Sequence, residues 1–291
     1  MLWLAAALPA RAADPVTFSI RAFAVEGNTV LAASLVDATV APYAGPARTF
    51  ADVHSAVAAL QALYAQRGFG TVTVVLPEQQ VSAGTVRLRV VEARLRRIGV
   101  KGPAGFDATR IGRILPSLRV AATPNTADLA REIRLANENP ARRLSIELTS
   151  VAADEIDAVV TVVEDKPWKA GAVFDNTGTP STGPTRIGAF VQYADVAGQD
   201  QVATLQYVTS PDRPSDVTIA AVNYRVPLPR LGDSVDLYGV YADVDSGVVG
   251  DLFDVRGSGT VTGLRYNQNL RPTASLQQRW TYGLEQRRTD N

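Results

Sequence analysis

The pattern of apolar and polar positions at the start of the chain changes period twice. Residues 17–25 alternate as a strand does, although the phase slips near Arg21, which is typical of a β-bulge. Gly27 and Asn28 then supply a turn, and residues 31–40 follow a short helical pattern. The pattern therefore predicts a strand, a turn and a helix in that order.

The second helical pattern is the clearest in the sequence. Thr49 is a favourable N-cap, and Arg67 and Gly68 provide a basic last turn followed by a C′ glycine. We interpret His54, at the border of this helix's apolar stripe, as a partly exposed helix-face residue without a chemical role. The apolar residues that form the predicted buried stripe recur at helical spacing: Phe50, Val53, Val57, Leu60 and Tyr64.

Two strand patterns follow this helix, and the whole order then repeats. Residues 71–76 are mostly β-branched, and residues 86–90 alternate between apolar positions and arginine. Residues 95–163 again contain a strand, two capped helices and two strands. Two βααββ units of about seventy residues therefore form a tandem repeat, and each can pack two helices on one face of a small sheet. An edge of such a sheet can accept an extended peptide as an added strand.

Helical periodicity disappears after residue 166, where alternating segments are separated by turn residues. Seven of the nine tyrosines lie in this third, several near predicted strand ends, as in the aromatic girdles of membrane barrels. On pattern alone, a soluble antiparallel sandwich with core tyrosines stays open as an alternative. The seven predicted strands cover residues 169–175, 187–193, 203–207, 216–226, 234–243, 259–267 and 276–284.

The amino-acid composition argues against several classes of protein. The chain has 291 residues, no cysteine, one histidine, and 29 basic against 29 acidic residues. These counts argue against a disulfide scaffold, a cysteine or histidine metal centre, a Ser–His–Asp triad and a nucleic-acid binder. No GxSxG, P-loop or HExxH motif occurs, so we expect neither catalysis nor a cofactor. No apolar run is long enough to predict a transmembrane helix, but half-polar β-barrel strands escape that test.

The first residues resemble the end of a secretory signal peptide. Residues 2–8 form an apolar run, and Ala10-Arg11-Ala12 has the small-x-small cleavage pattern. A basic region before the apolar run is missing, so we expect the natural start to lie upstream. A frayed apolar terminus of a cytosolic protein is the alternative.

An ordered set of motifs resembles the first POTRA domain of two-partner secretion transporters. These are outer-membrane proteins of the ShlB/FhaC/HecB type, within the Omp85 superfamily, that secrete and activate haemolysins and adhesins. Residues 135–163, which include Asn139-Pro140, resemble the second POTRA domain. The residues that carry the resemblance in the first domain are Gly27, Asn28, Tyr64, Gly68, Pro77, Glu78 and Gln79. The residues that resemble the first barrel hairpin of the family are Asp175, Asn176 and Gly178.

The resemblance implies an α+β fold of tandem POTRA domains followed by the first part of an antiparallel transmembrane β-barrel. About seven of the family's sixteen strands are present, and an odd count leaves unpaired edges, so we expect the sequence to be truncated within the barrel. The expected domains are a signal remnant at residues 1–13, POTRA domains at 14–93 and 94–165, and the partial barrel at 166–291.

The implied function is an outer-membrane translocation pore of a Gram-negative bacterium. Its periplasmic POTRA domains would capture the amino-terminal secretion domain of a TpsA-like exoprotein, and its barrel would contact outer-membrane lipid. We expect a monomer that binds no nucleic acid. The capturing strand would be residues 71–76, with Arg67, Thr71, Thr73 and Val75 as binding residues, and a proline at position 73 would abolish added-strand pairing. The alternatives are an outer-membrane assembly factor of the same superfamily and a soluble β-rich binding module.

Overall fold

The structure is a computed structural model that describes residues 16–81, 84–243, 258–272 and 276–289, together with the backbone of 247–249 and 253–255. The signal-peptide prediction for residues 1–13 lies outside these ranges. The chain divides into two compact units, Met1–Ala93 and Arg94–Asn291. No helix within the described ranges is long and apolar enough to cross a membrane.

The first unit packs two helices against one face of a three-stranded sheet, which confirms the predicted arrangement. Its elements are β1 (Phe18–Ile20), β2 (Ala22–Glu26), α1 (Ala33–Val40), a 3-10 turn (Ala41–Tyr43), β3 (Gly45–Arg48), α2 (Phe50–Gln66), β4 (Val72–Val75) and β5 (Thr85–Glu92). The sheet order is β2–β5–β4, with β2 parallel and β4 antiparallel to β5. The core between sheet and helices includes Leu60, Tyr64 and Leu88, which are fully buried.

The phase slip at Arg21 marks a change of sheet and not a bulge within one strand. Before the slip, β1 pairs with β3 in a separate two-stranded sheet, where Phe18 lies opposite Arg48. After the slip, β2 pairs with β5 in the main sheet. Strand β3 was not predicted, because its four residues, Gly45–Arg48, carry no alternating apolar pattern.

Helix α2 has the predicted caps but buries a shorter stripe than the sequence suggests. Thr49 and Asp52 form a reciprocal capping box, and the hydrogen bonds from Thr49 lower the pKa of the Asp52 carboxyl. Gly68 follows with a φ of 90°, as a C′ glycine does. Phe50, which the stripe included, is 60% exposed, because it begins the helix; its ring packs against Phe18.

The second unit begins with a repeat of the same topology. Its elements are β6 (Arg94–Lys101), α3 (Ala108–Ile114), α4 (Thr126–Ala136), β7 (Arg142–Ala152) and β8 (Glu155–Glu164). The sheet order is β6–β8–β7, again with one parallel and one antiparallel pair. Asp107 and Asn125 cap the two helices by accepting main-chain hydrogen bonds, as predicted. Burial raises the pKa of Glu132, whose carboxylate accepts hydrogen bonds from the main chain and hydroxyl of Ser117.

The seven predicted strands of the last third form one antiparallel sheet. They are β9 (Trp168–Asp175), β10 (Arg186–Val196), β11 (Gln201–Thr209), β12 (Thr218–Leu228), β13 (Asp233–Asp243), β16 (Gly259–Asn269) and β17 (Arg279–Thr289). Each strand pairs with its neighbour in this order. A short hairpin that was not predicted, β14 (Gly247–Val249) and β15 (Phe253–Val255), stands between β13 and β16 as a separate two-stranded sheet.

The strand register separates the side chains of this sheet into two chemically different faces. The outer face carries Leu205, which pairs with Val222, and Leu237, Leu264 and Leu284, which pair in succession; each of these five residues is at least 39% exposed. The inner face carries polar residues, including Gln206, Asn223, Arg225, Asp236, Arg265 and Glu285. It also carries a buried apolar cluster, with Val208, Ile219, Val240 and Ala242, near the strand ends that the connection 210–217 joins. Exposed leucines opposite a polar face are the pattern of a barrel wall with lipid outside.

The tyrosines follow the same division with one exception. By register, Tyr193, Tyr207, Tyr224, Tyr241, Tyr266 and Tyr282 all lie on the outer face. Tyr238 lies on the inner face instead, where it packs over Gly263 and donates a hydrogen bond to Glu285. An aromatic side chain across from a strand glycine fills the space that the glycine leaves open.

The two ends of the sheet differ in the length of their connections. Turns 197–200 and 229–232 have four residues each, and the third connection at that end, 270–278, has nine; the connections at the other end, 176–185 and 210–217, have ten and eight. We call the end with turns 197–200 and 229–232 and the β16–β17 connection the short-turn end. Short turns at one end and longer loops at the other are typical of outer-membrane barrels.

Replacing Gly27 by alanine should destabilise the first unit. Its φ is 87°, and an added Cβ would lie 2.3 Å from the carbonyl oxygen of Val90 in β5. We expect a loss of about 2–3 kcal/mol in the free energy of unfolding of this unit. Hydrogen exchange of α2 and β5 should accelerate accordingly. Gly112→Ala is the matched control, because no atom lies within 4 Å of its added Cβ. Unchanged exchange in Gly27→Ala would contradict this assignment.

Candidate functional site

The free edge of β4 is the first candidate for partner binding, and a side chain already occupies it. The Gln61 carboxamide of α2 donates through Nε2 to the Val72 carbonyl oxygen at 2.7 Å. Its Oε1 accepts the Val74 main-chain N–H at 2.8 Å. One carboxamide thus satisfies a C=O and an N–H that an added strand would otherwise pair. We call these main-chain groups of Val72 and Val74 the capture edge.

The same contacts show where the main chain of Thr73 points. Alternate residues of a strand direct their N–H and C=O groups to opposite sides. Because Val72 and Val74 bind Gln61, Thr73 directs its main-chain groups at β5, where it lies opposite Val91. A proline at position 73 would therefore break the β4–β5 ladder itself, so it would not remove added-strand pairing alone, which is the effect expected from the sequence. Position 74 is where a proline would remove a free-edge donor.

The predicted binding residues fall into different environments. Thr73 and Val75 expose their side chains on the sheet face opposite the helices. Arg67 is exposed at the C-cap of α2. Thr71 is half-buried before β4, and its Oγ1 has no hydrogen-bond partner among the described residues. The structure thus groups Thr73 and Val75 on one surface and places Arg67 and Thr71 at its margin.

The second repeat protects its corresponding edge by the same device. In β7, the Leu144 N–H donates to Asn137 Oδ1 at 2.6 Å, and Asn137 Nδ2 donates to the Leu144 carbonyl oxygen at 2.9 Å. Asn137 is the C-cap of α4, whereas Gln61 lies inside α2. Exposed edge strands can pair with other chains. A side-chain carboxamide bound to the edge blocks such pairing. Sequence reasoning missed both residues, since nothing in their spacing marks them.

The motif residues Gly27, Asn28, Tyr64 and Gly68 hold the first unit together. Asn28 binds the main chain of Leu31 through both side-chain atoms, and its Oδ1 accepts the Tyr64 hydroxyl at 2.7 Å. Burial, with the nearby Glu92 charge, raises the pKa of Tyr64. Glu92, which the sequence did not single out, accepts hydrogen bonds from the main chain at positions 29 and 30. These residues fix the turn after β2.

The motif residues Pro77, Glu78 and Gln79 follow the end of β4. Gln79 Oε1 accepts the Arg87 N–H at 2.7 Å, and Gln79 Nε2 donates to the Arg87 carbonyl oxygen at 2.8 Å. The Gln79 side chain thus pairs with β5 beyond the end of β4. The main chain of Pro77 cannot continue the ladder there, because proline lacks an N–H. Glu78 is exposed.

The residues that resemble the first barrel hairpin shape the long connection 176–185. Asp175 Oδ1 accepts the Thr177 N–H at 2.9 Å, and the Gly178 N–H donates to the Pro184 carbonyl oxygen at 3.0 Å. A Cβ on Gly178 would overlap the Gly183 carbonyl oxygen, so only glycine fits there. Asn176 is exposed. Their roles in the described structure are those of a folded loop.

A second candidate site is the junction between the second repeat and the short-turn end of the sheet. Glu138, just after α4, forms ion pairs with Arg225 of β12 and Arg279 of β17. Arg225 also donates to the Ser234 hydroxyl at 2.8 Å. Both arginines lie on the inner face of the sheet. Glu138 therefore bridges two strands that are separated by others in the sheet.

Further polar contacts join the same two parts. Arg142 of β7 pairs with Asp200 at 2.6 Å, and Arg110 of α3 contacts Asp195 and Asp200 at 3.2 and 3.4 Å. The buried Asn139 donates to the Ala194 carbonyl oxygen at 2.7 Å.

The β16–β17 connection also takes part in the junction. Arg271 forms a two-point ion pair with Asp128 of α4 at 2.8 and 2.9 Å. Gly232, in the turn between β12 and β13, lies against Arg131 of α4. All three connections of the short-turn end thus contact the second repeat. Among the described residues, no group of three or more His, Cys, Asp or Glu side chains could hold a metal ion.

Replacing Glu138 by glutamine should loosen this junction. Glutamine keeps the shape but removes the charge, so Arg225 and Arg279 lose their shared carboxylate in a site where Glu138 is only 14% exposed. We expect a cost on the order of 2–3 kcal/mol and roughly tenfold or faster hydrogen exchange in α4, measured on the whole chain in detergent micelles. Glu164→Gln, an exposed carboxylate at the end of β8, is the control. Equal exchange in both variants would contradict a bridging role for Glu138.

Comparison with known families agrees with this architecture. The family model described as POTRA domain, ShlB-type, matches residues 18–93, and the model described as haemolysin secretion/activation protein ShlB/FhaC/HecB matches residues 154–291. The outer membrane transporter CdiB of Escherichia coli is 26% identical over 183 residues, which cover 62% of this chain and 31% of that protein. CdiB of Dickeya dadantii is 24% identical over 182 residues, 62% of this chain and 32% of that protein.

Solved structures show the same fold over nearly the whole chain. CdiB from Escherichia coli superposes with a TM-score of 0.73 at 21% identity and covers 97% of this chain and 53% of its own. CdiB from Acinetobacter baumannii gives a TM-score of 0.68 at 12% identity, with 93% and 53% covered. The chain thus spans about half the length of these structures. With two POTRA-like domains leading into an antiparallel sheet with an apolar outer face, the chain matches the haemolysin secretion/activation proteins of the ShlB/FhaC/HecB type over its first unit and over the sheet of its second unit.

Proposed function

We propose that this protein captures an extended segment of a secreted exoprotein at the capture edge and passes it outward along the inner face of its barrel strands. The observation that carries the proposal is the free edge of β4, which offers an N–H and a C=O to an incoming chain. The family supports an exoprotein partner. We also propose POTRA domains at 14–93 and 94–165, a barrel portion at 166–291, and a monomer as the working form.

Strand addition suits a transporter that must bind a chain before the chain folds. Main-chain hydrogen bonds bind any extended segment, and side-chain pockets on alternate positions add selectivity. Here the alternate positions on the open face are Thr73 and Val75 in β4, which lie opposite Val91 and Arg89 of β5. A segment with acidic or hydroxyl side chains on one face and apolar ones on the other would match this surface.

Gln61 must leave the capture edge before a strand can be added. Its carboxamide makes the same two kinds of hydrogen bond that an incoming peptide would make, so the exchange is nearly balanced in hydrogen-bond count. An incoming strand gains further contacts along its length, which Gln61 cannot offer. We therefore propose that Gln61 protects the edge against non-specific pairing and yields to the exoprotein.

The cargo is proposed to be of the haemolysin or adhesin type, which the description of the matching family suggests. The polar inner face, with Gln206, Asn223 and Glu285, would line its path, and the apolar outer face would contact outer-membrane lipid. Neither step requires catalysis or a cofactor.

A cysteine introduced at Thr73 should form disulfides with an exoprotein fragment in an alternating pattern. The chain contains no cysteine, so the reporter is unique. The probe is the amino-terminal secretion domain of a two-partner secretion exoprotein, with single cysteines at consecutive positions. Directly opposite residues of paired strands lie within disulfide reach, and every second residue faces the same side, so cross-links should recur with a period of two.

Ala22→Cys on β2, the opposite edge strand of the same sheet, is the control and should give little product. Adding Gln61→Leu to Thr73→Cys should raise the cross-linking rate severalfold, whereas Gln66→Leu, on an exposed position of α2, should not. Equal yields at positions 73 and 22, or yields without alternation, would refute strand addition at β4.

A further inference from the structure

A cavity of about 730 Å³ lies beside the junction, between α3 and the turns 197–200 and 229–232 of the short-turn end. Its volume falls in the range of small-molecule sites. Nothing in the proposed transport of an exoprotein uses it. Its walls combine arginine side chains with apolar residues, and these two kinds of lining lie on different elements.

The apolar lining belongs to the outer side of the sheet. Val226 and Leu228 continue the outer-face positions of β12, two and four residues after Tyr224. Leu231, in the following turn, is 52% exposed although it is apolar. The short-turn end contacts the second repeat, and the POTRA domains of the matching family are periplasmic. The cavity therefore opens where the apolar outer face ends, at the level of the inner leaflet's headgroups.

The turn that carries Leu231 is held in a fixed shape. Pro227 and Pro229 restrict its backbone, and the Gly232 N–H donates to the carbonyl oxygens of Leu228 and Pro229 at 3.0 and 3.1 Å. Gly232 has a φ of 72°. This arrangement presents Arg230 and Leu231 side by side and exposed, so a cationic and an apolar group are positioned before any ligand binds.

The cavity has an excess of positive charge that the described residues do not neutralise. Arg113, Arg119 and Arg230 line it, are exposed, and have no carboxylate within 4 Å among the described residues. Asp200 is the one acidic residue of the described lining, and it is already paired with Arg142 and Arg110. Arg119 donates from Nε to the Pro116 carbonyl oxygen at 2.9 Å, which uses one of its five N–H donors.

We propose that this cavity binds the headgroup of an anionic phospholipid, with its phosphate between Arg113, Arg119 and Arg230 and its acyl chains along Val226, Leu228 and Leu231. Arginine suits phosphate because its planar guanidinium donates two parallel hydrogen bonds. Basic pockets at the membrane surface between protein elements bind anionic headgroups in this way. The bound lipid would join α3 of the second repeat to the membrane surface and reinforce the junction centred on Glu138.

The test measures lipid retention by the whole chain in dodecyl maltoside micelles, using native mass spectrometry with phosphatidylglycerol and phosphatidylcholine as probes. We expect the unmodified chain to retain phosphatidylglycerol about tenfold more than phosphatidylcholine. Arg113→Gln with Arg119→Gln and Arg230→Gln should reduce this ratio to about one. Arg230→Gln alone, in an exposed turn, should lower it partly. The control removes as many exposed arginines elsewhere in the second unit, Arg94, Arg143 and Arg213, and should keep the ratio.

Three results would overturn the proposal. The first is equal retention of the two lipids by the unmodified chain, and the second is an undiminished preference in the triple variant. The third is displacement of phosphatidylglycerol by an equal concentration of inorganic phosphate, because the apolar lining would then contribute nothing. Unchanged circular dichroism of the Arg230→Gln variant separates loss of the site from loss of the fold.

Discussion

The apolar outer face of the seven-stranded sheet is the constraint on which the rest of the second unit depends. Leucines that are 39–78% exposed lie on this face in four of its strands, and burial of such surface stabilises a protein by roughly 25 cal/mol per Å². No described element covers this face. The polar inner face, the tyrosines of the outer face and the unequal connections all agree with a sheet placed in an outer membrane.

Contacts at the short-turn end attach this sheet to the second repeat, and many of them are polar. The junction contains Glu138, Asp128, Asp200 and their arginine partners, together with a small buried apolar cluster of Ala141, Ala194 and Val202. Ion pairs with good geometry fix orientation more than they add stability. The junction therefore fixes the position of the second repeat against the short-turn end of the sheet.

Helices and strands with one dominant periodicity were predicted correctly from the sequence. Contacts between side chains of different elements were not. All seven barrel strands and the βααββ repeats follow from alternation and helical spacing. The change of sheet at Arg21 looked like a bulge, because one strand pattern continues while its partner changes. Gln61, Glu92 and Glu138 escaped notice, since their contacts lie 11 or more residues away in sequence. The motif glycines and Asn28 proved to shape turns, which sequence similarity alone does not distinguish from binding.

The orientation of the sheet's two faces is tested most directly by two single-cysteine variants, Leu205→Cys and Gln206→Cys. These positions are adjacent in β11 and point to opposite faces, and the chain has no native cysteine to interfere. Each variant carries a fluorophore on its introduced thiol, and the protein is placed in the outer membrane. The fluorophore at position 205 should be quenched by a lipid-soluble quencher, and the one at position 206 by a water-soluble quencher. Equal quenching at both positions by the water-soluble reagent would contradict a lipid-facing outer surface.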